Sequence, residues 1–149
     1  MLTEEMKTIL GNFSAGSVAT VNDDGTPSVS TKATFVIVDD HTIAFGNLRS
    51  PGTVANIRQR PAIEVNFTDI LKRKAVRVTG KARLVPTSEA TPSIRDAFER
   101  AWADYIDSMD GFVCIDITAT ELILSPAYDI GANEKELHKA NLDKLNAIE

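Results

Sequence analysis

The chain has little of the chemistry that usually carries catalysis. It holds one cysteine, one tryptophan and two histidines in 149 residues. The lone Cys114 has no partner for a disulfide within the chain. It sits in the apolar run Gly111 to Ile117 with no adjacent histidine, so it reads as a small buried hydrophobe rather than a nucleophile. His41 falls in a turn and His138 in the tail, neither with Cys or carboxylate at ligand spacing, which excludes a recognisable metal site or Ser-His-Asp arrangement. A basic excess is also missing. The net charge of −5 argues against gripping nucleic acid through its phosphates, which needs a basic surface. No apolar run approaches membrane-spanning length. Met1-Leu2-Thr3-Glu4-Glu5 has neither the basic start nor the apolar core of a signal peptide. A cytoplasmic chain with no membrane partner is the expectation.

What is present suits one compact core: 43% of the residues are hydrophobic and 25% charged. No repeat, low-complexity stretch or composition break marks a second domain. Residues 1–149 therefore read as a single domain in which 125–149 is a tail and helix.

Thr3 to Leu10 reads as a short helix capped by Thr3 and ended by Gly11. Ser17 to Val21 and Ser28 to Val38 flank the turn Asn22-Asp23-Asp24-Gly25-Thr26-Pro27 and form a hairpin. Asp39-Asp40-His41 turns the chain into the strand Thr42 to Phe45. After a helix running to about Arg60, Pro61 restarts it into Ala62 to Phe67. Lys72 to Val85 is a long strand with Val76, Val78, Ala82 and Leu84 on one face, Arg77, Thr79, Lys81 and Arg83 on the other, and Gly80 at a natural bulge. Thr91-Pro92 opens a helix in which Ile94, Phe98, Ala101, Trp102 and Tyr105 recur at helical spacing, followed by a last strand from Phe112 to Leu124. Asn133 and Glu136 form a capping box for a final helix with a thin apolar stripe of Leu137, Ala140, Leu145 and Ile148. The sum is a mainly β protein: a small six-stranded antiparallel barrel with short flanking helices.

The most informative segment is the junction Gly46-Asn47-Leu48-Arg49-Ser50-Pro51-Gly52-Thr53 between a strand and a helix. Ser50 is a favoured N-cap and Pro51 suits the first helical position, so the helix starts at Ser50. Its first turn offers unpaired N–H groups and the positive end of the dipole, where a phosphate is stabilised. Gly52 permits close approach, Thr53 adds a hydroxyl and Arg49 a forked charge. An ordinary capped helix with a solvated arginine is the other reading of the same residues. Strand alternation adds a polar row, Ser30, Lys32 and Thr34, in the second strand, with Thr31 on the opposite face. Lys32 can bring a second positive charge to the same anion, or the row is simply a solvated strand surface.

The order of these segments resembles the FMN-binding split β-barrel proteins related to pyridoxamine 5′-phosphate oxidase and the flavin reductases, from about Phe13 to Ile130. The resemblance rests on Ser17-Val18-Ala19-Thr20-Val21 before an acidic glycine turn and Pro27, on Val29-Ser30-Thr31-Lys32, and on Arg49-Ser50-Pro51-Gly52-Thr53-Val54-Ala55-Asn56-Ile57. Arg60-Pro61-Ala62-Ile63 and Val76-Arg77-Val78-Thr79-Gly80-Lys81-Ala82 complete it. It implies a Greek-key-like split barrel and a homodimer with a flavin at the subunit interface. The flavin phosphate would lie against Ser30, Thr31 and Lys32 and the segment bearing Gly46, Asn47, Arg49, Ser50 and Thr53. Trp102 or Tyr105 would reach the partner's flavin, packing in the core being the other reading of Trp102. Two departures stand out. Pro51 and Gly52 occupy positions that are basic in many members, and no basic C-terminal motif follows Tyr128, so vitamin B6 synthesis is not implied.

The function implied is an FMN-dependent oxidoreductase acting on a small organic substrate, with NADPH or NADH as electron donor. Because a flavin supplies its own redox chemistry, the scarcity of catalytic side chains is no obstacle. The alternatives are a reductase using the deazaflavin F420, whose anionic tail would need a basic groove such as Arg73, Lys74, Arg77, Lys81 and Arg83, and a non-catalytic FMN carrier.

Overall fold

The computed structural model describes residues 1–149. The helices are α1 (Glu4–Asn12), α2 (Pro51–Gln59), α3 (Pro92–Trp102) and α4 (Glu134–Asn146). The strands are β1 (Gly16–Val21), β2 (Pro27–Lys32), β3 (Phe35–Asp39), β4 (Thr42–Gly46), β5 (Ala62–Asp69), β6 (Lys74–Val85) and β7 (Phe112–Leu124). They form one antiparallel sheet of seven strands in the order β2-β1-β5-β6-β7-β4-β3. No helix is long and apolar enough to cross a membrane.

The sheet corrects the expected six-stranded barrel in two respects. The run from Ser28 to Val38 is two strands, because Thr34 leaves the ladder. Its buried hydroxyl accepts from the Gly46 N–H at 3.1 Å and lies 3.4 Å from the Gly46 carbonyl, doing locally what a strand partner would do. In addition, the sheet does not close. β2 and β3 are its two edges and share no ladder. Yet only Ala33 and Thr34 separate them in sequence, and three residue steps span at most roughly 11 Å. The sheet therefore coils until its edges nearly meet and remains split there.

The coil encloses a cluster of 17 buried residues, among them Val18, Phe35, Phe45, Val65, Phe67, Val76 and Val113, and α1 plugs it with Met6, Ile9 and Leu10. Strand alternation sends Val36, Ala44, Phe112 and Cys114 to the opposite face, where α3 covers them with Ile94, Ala97 and Phe98 in a second cluster of nine. Burying each such large side chain contributes about 1.5–3 kcal/mol. Both faces of β3, β4 and the start of β7 are thus covered, which is why these segments read as continuous apolar runs. Gly80 does mark a bulge. The register shifts after Thr79, leaving Thr118 unpaired in β7, and a Cβ on Gly80 would stand 2.4 Å from the Asp116 carbonyl oxygen.

Helix ends follow their capping residues, with exceptions. Thr3 accepts from the Met6 N–H and Thr91 from the Ile94 N–H. Gly11 does not end α1, which continues to Asn12. Helix α3 stops at Trp102, leaving Tyr105 outside it and half-exposed. Asn133 caps α4 through the N–H groups of Lys135 and Glu136. The tail grips the β5–β6 turn by polar contacts. The Tyr128 hydroxyl donates to the Lys72 carbonyl at 2.6 Å, Asn141 donates to the Leu71 carbonyl at 2.8 Å, and Arg73 donates to Asn141 at 3.3 Å. Leu142, Leu145 and Ile148 stay exposed.

Candidate functional site

The N-terminus of α2 meets the inward face of β2. Ser30 and Thr53, far apart in sequence, bring their hydroxyls within 3.3 Å of each other. Burial along β2 alternates, with Ser28, Ser30 and Lys32 half-buried and Val29 and Thr31 exposed. Ser30 and Lys32 therefore face the helix. Thr31 points away from it.

Two anchors set this meeting. The buried Asn56 amide donates to Thr20 of β1 at 3.1 Å and to Asn22 at 3.0 Å. At the end of the helix, Arg60 donates through Nε to the Val21 carbonyl at 3.0 Å and pairs with Asp23 at 2.7 Å. Because β1 and β2 are one hairpin with Thr20 opposite Ser28, fastening α2 to the first strand fixes Thr53 against the second. Neither anchor is evident from local pattern. A polar residue on the inner face of a helix, as Asn56 is, was the available signal.

The first turn of α2 keeps free donors. Val54 N–H bonds the Ser50 carbonyl and Pro51 has no N–H, so the N–H groups of Gly52 and Thr53 are left without a protein partner. Space beside Gly52 is open. Ser50 occupies the N-cap position but makes no side-chain cap bond and is buried. Thr53 is also buried, at 8% exposure. Arg49, exposed on the preceding loop, makes no ion pair or side-chain hydrogen bond.

Lys32 differs from every other half-buried lysine. Lys7, Lys72 and Lys74 each have carboxylate partners, while Lys32 has none. Burial pushes its pKa below the ordinary lysine range. An anion is what that charge lacks. The donor set of hydroxyls, free N–H groups, helix dipole and two unpaired cations fits a phosphate monoester.

The remaining candidates have other duties. The Gly46 N–H is taken by Thr34, and a Cβ there would stand 2.2 Å from the Met109 sulfur, so Gly46 makes room for Met109. Asn47 ties the end of β4 to the loop before β7: its amide donates to the Asp110 carbonyl at 3.2 Å and its N–H to the Gly111 carbonyl at 3.1 Å. Trp102 donates its indole N–H to the Phe35 carbonyl at 3.1 Å and has no bond to Ser30, Lys32 or Thr53. In the proposed basic groove, Lys74 is paired with Glu5 and Glu134, Arg77 with Glu121 and Arg83 with Asp116. Cys114 is fully buried, and burial pushes its thiol up to about 11. No group of histidine, cysteine and carboxylate side chains could hold a metal ion.

The split, coiled sheet with helix α2 set against the hairpin at its edge defines a class, and the sequence falls within it. Residues 2–125 match the family model described as pyridoxamine 5′-phosphate oxidase. The chain belongs to that family, whose members generally bind a flavin. Among solved structures, HupZ of Group A Streptococcus superposes with a TM-score of 0.69 at 24% identity, over 84% of this chain and 96% of that one. A candidate pyridoxamine 5′-phosphate oxidase of Lactobacillus delbrueckii gives 0.65 at 22% identity, over 80% and 93%. An F420 reductase gives 0.63 at 22% identity, over 80% and 98%. At these identities the likeness is one of fold. No curated protein matches the chain in sequence.

Proposed function

We propose that the chain is an FMN-binding flavoprotein and an oxidoreductase acting on a small organic substrate, with NADPH or NADH as electron donor. The observation that carries this reading is the Ser30–Thr53 contact of 3.3 Å, which joins the two segments independently suited to a phosphate. Lys32 and Arg49 supply the positive charge that Pro51 and Gly52 do not. The Gly52 and Thr53 N–H groups and the α2 dipole add directed donors. A bound flavin supplies hydride and single-electron chemistry itself. The protein's part is to seat the phosphate, hold the ring and limit water access.

The reading includes a homodimer with the flavin at the subunit interface. In support, none of the main clefts of the single chain includes Ser30, Lys32, Arg49 or Thr53. In this reading a second chain supplies the wall that the single chain's main clefts do not. Any contact of Trp102 with a flavin is made by its ring, since its N–H is committed to Phe35. A cytoplasmic setting accords with the free thiol of Cys114.

The first measurement is the visible spectrum of the purified protein with added FMN, then with NADPH or NADH under nitrogen. Flavin bands that bind and bleach support the reductase. Bands that persist favour a carrier or another donor. Failure to bind FMN with binding of F420 instead would shift the cofactor to the deazaflavin, against the carboxylate pairing of Lys74, Arg77 and Arg83.

A further inference from the structure

A groove of about 450 Å³ runs between α1 and α3 over the free edge of β3. Its floor and walls are mostly apolar, with Leu10, Phe35, Ile37 and Trp102 among them. Two polar side chains line it, Ser14 and Arg100. Ser14 is half-buried and its hydroxyl makes no hydrogen bond within the chain. Arg100 makes neither an ion pair nor a hydrogen bond, although Asp96 and Glu99 lie on the same helix. Trp102, by contrast, is saturated: its indole N–H is spent on the Phe35 carbonyl, which locks the ring as a wall.

A cleft of a few hundred Å³, apolar in the main with a few unspent polar groups at one side, is the usual form of a small-molecule site. Charge decides the class. The protein carries a net charge of −5, so the surface as a whole repels anions, and an unpaired guanidinium and a free hydroxyl lining one apolar groove select one locally. We infer that this groove binds a small carboxylic acid with a compact apolar body, the carboxylate on Arg100 and Ser14 and the body between Leu10 and Trp102. The site is separate from the Ser30–Thr53 junction and does not depend on the flavin reading.

The groove contains its own reporter, because Trp102 is the only tryptophan. The test is titration of the full chain with cyclohexylacetate, which is transparent where tryptophan is excited, following Trp102 emission and, in parallel, heat by calorimetry. Saturable change is expected, about tenfold weaker or more for cyclohexylacetamide and for Arg100→Gln, in line with loss of one charge-assisted hydrogen bond. Arg100 is exposed, so the variant keeps its fold, checked by an unchanged melting temperature. Ala101→Trp, which fills the groove from its exposed wall, should abolish the calorimetric signal. No saturation up to millimolar acid, equal binding of acid and amide, or an unaffected Arg100→Gln variant would each overturn the inference. Displacement of the acid by FMN would overturn it too, by making the groove part of the flavin site. Arg49→Ala, which leaves acid binding unchanged while FMN binding falls, separates the two sites.

Discussion

Asn56 and Thr20 form a buried side-chain hydrogen bond of 3.1 Å between helix α2 and strand β1, and through it the position of Thr53 against Ser30 is decided. The helix could otherwise slide on its apolar contacts, Val54 and Ile57. Apolar contact is non-directional, whereas a buried amide must find its partners.

Asn56→Ala should therefore act twice. Leaving Thr20 without its donor in a buried setting costs about 1–3 kcal/mol, measured by urea unfolding. Phosphate-dependent flavin affinity should fall as well, although Asn56 is not placed to touch the ligand. A loss of stability with full flavin affinity would show that the helix keeps its place without this bond.

Arg49→Ala with Thr53→Ala should weaken FMN binding by about two orders of magnitude, as expected for removing one charge-assisted and one neutral hydrogen bond. Fluorescence titration reads this directly. The far-ultraviolet circular dichroism should stay the same, because Arg49 is exposed and Thr53→Ala shortens a side chain without moving the backbone. Retained affinity in the folded double variant would remove this junction from the flavin site.

Lys32→Met tests the opposition of stability and function. Burial lowers the Lys32 pKa, so the charged form is held in the folded chain at a cost. The sign follows from linkage. Between the lowered folded value and the ordinary lysine range the unfolded chain binds more protons, so this residue's contribution to stability improves as pH rises through that window. At neutral pH, Lys32→Met should raise the melting temperature of the ligand-free protein and lower its affinity for FMN. A lowered melting temperature without ligand would contradict the assignment of Lys32 as an unpaired cation.

Gly80→Ala should destabilise more than Gly46→Ala. The Cβ at position 80 meets backbone, the Asp116 carbonyl oxygen at 2.4 Å, whereas at position 46 it meets the flexible end of Met109 at 2.2 Å. Overpacking of this kind costs about 1–3 kcal/mol, with Gly80 at the upper end because backbone cannot step aside. Paired thermal melts decide it. Adding Met109→Ala should recover part of the loss at position 46 and none at position 80.

Cys114 should resist thiol reagents at neutral pH until the protein unfolds, since it is fully buried with a thiol pushed up to about 11. With the folded value above the ordinary 9.0, the unfolded chain loses its proton first as pH rises. Stability contributed by the neutral thiol is complete below about pH 9 and is lost toward pH 11. Reagent uptake measured against urea concentration should follow global unfolding. Uptake in the native baseline would reveal a local opening at β7.

The order of elements could be read from the chain because turn chemistry and capping act over a few residues. The Asn22–Pro27 turn, the caps at Thr3, Thr91 and Asn133, the start of α2 at Pro51 and the bulge at Gly80 all fell where these local preferences put them. The start of α2 after Ser50, with its unpartnered first N–H groups, was legible for the same reason. What needed the tertiary structure was every feature made by residues distant in sequence. Thr34 breaks a strand because Gly46 is beside it. Gly46 and Asn47 serve the loop before β7 rather than offering free donors. Trp102 is spent on Phe35, and Lys74, Arg77 and Arg83 of β6 are spent on carboxylates from α1, α4 and β7. Local propensity sets which groups carry charge or a donor. Only the packed chain determines which of them are already satisfied, and unsatisfied groups gathered at one place, Lys32 and the first N–H groups of α2 among them, are where ligands have something to gain.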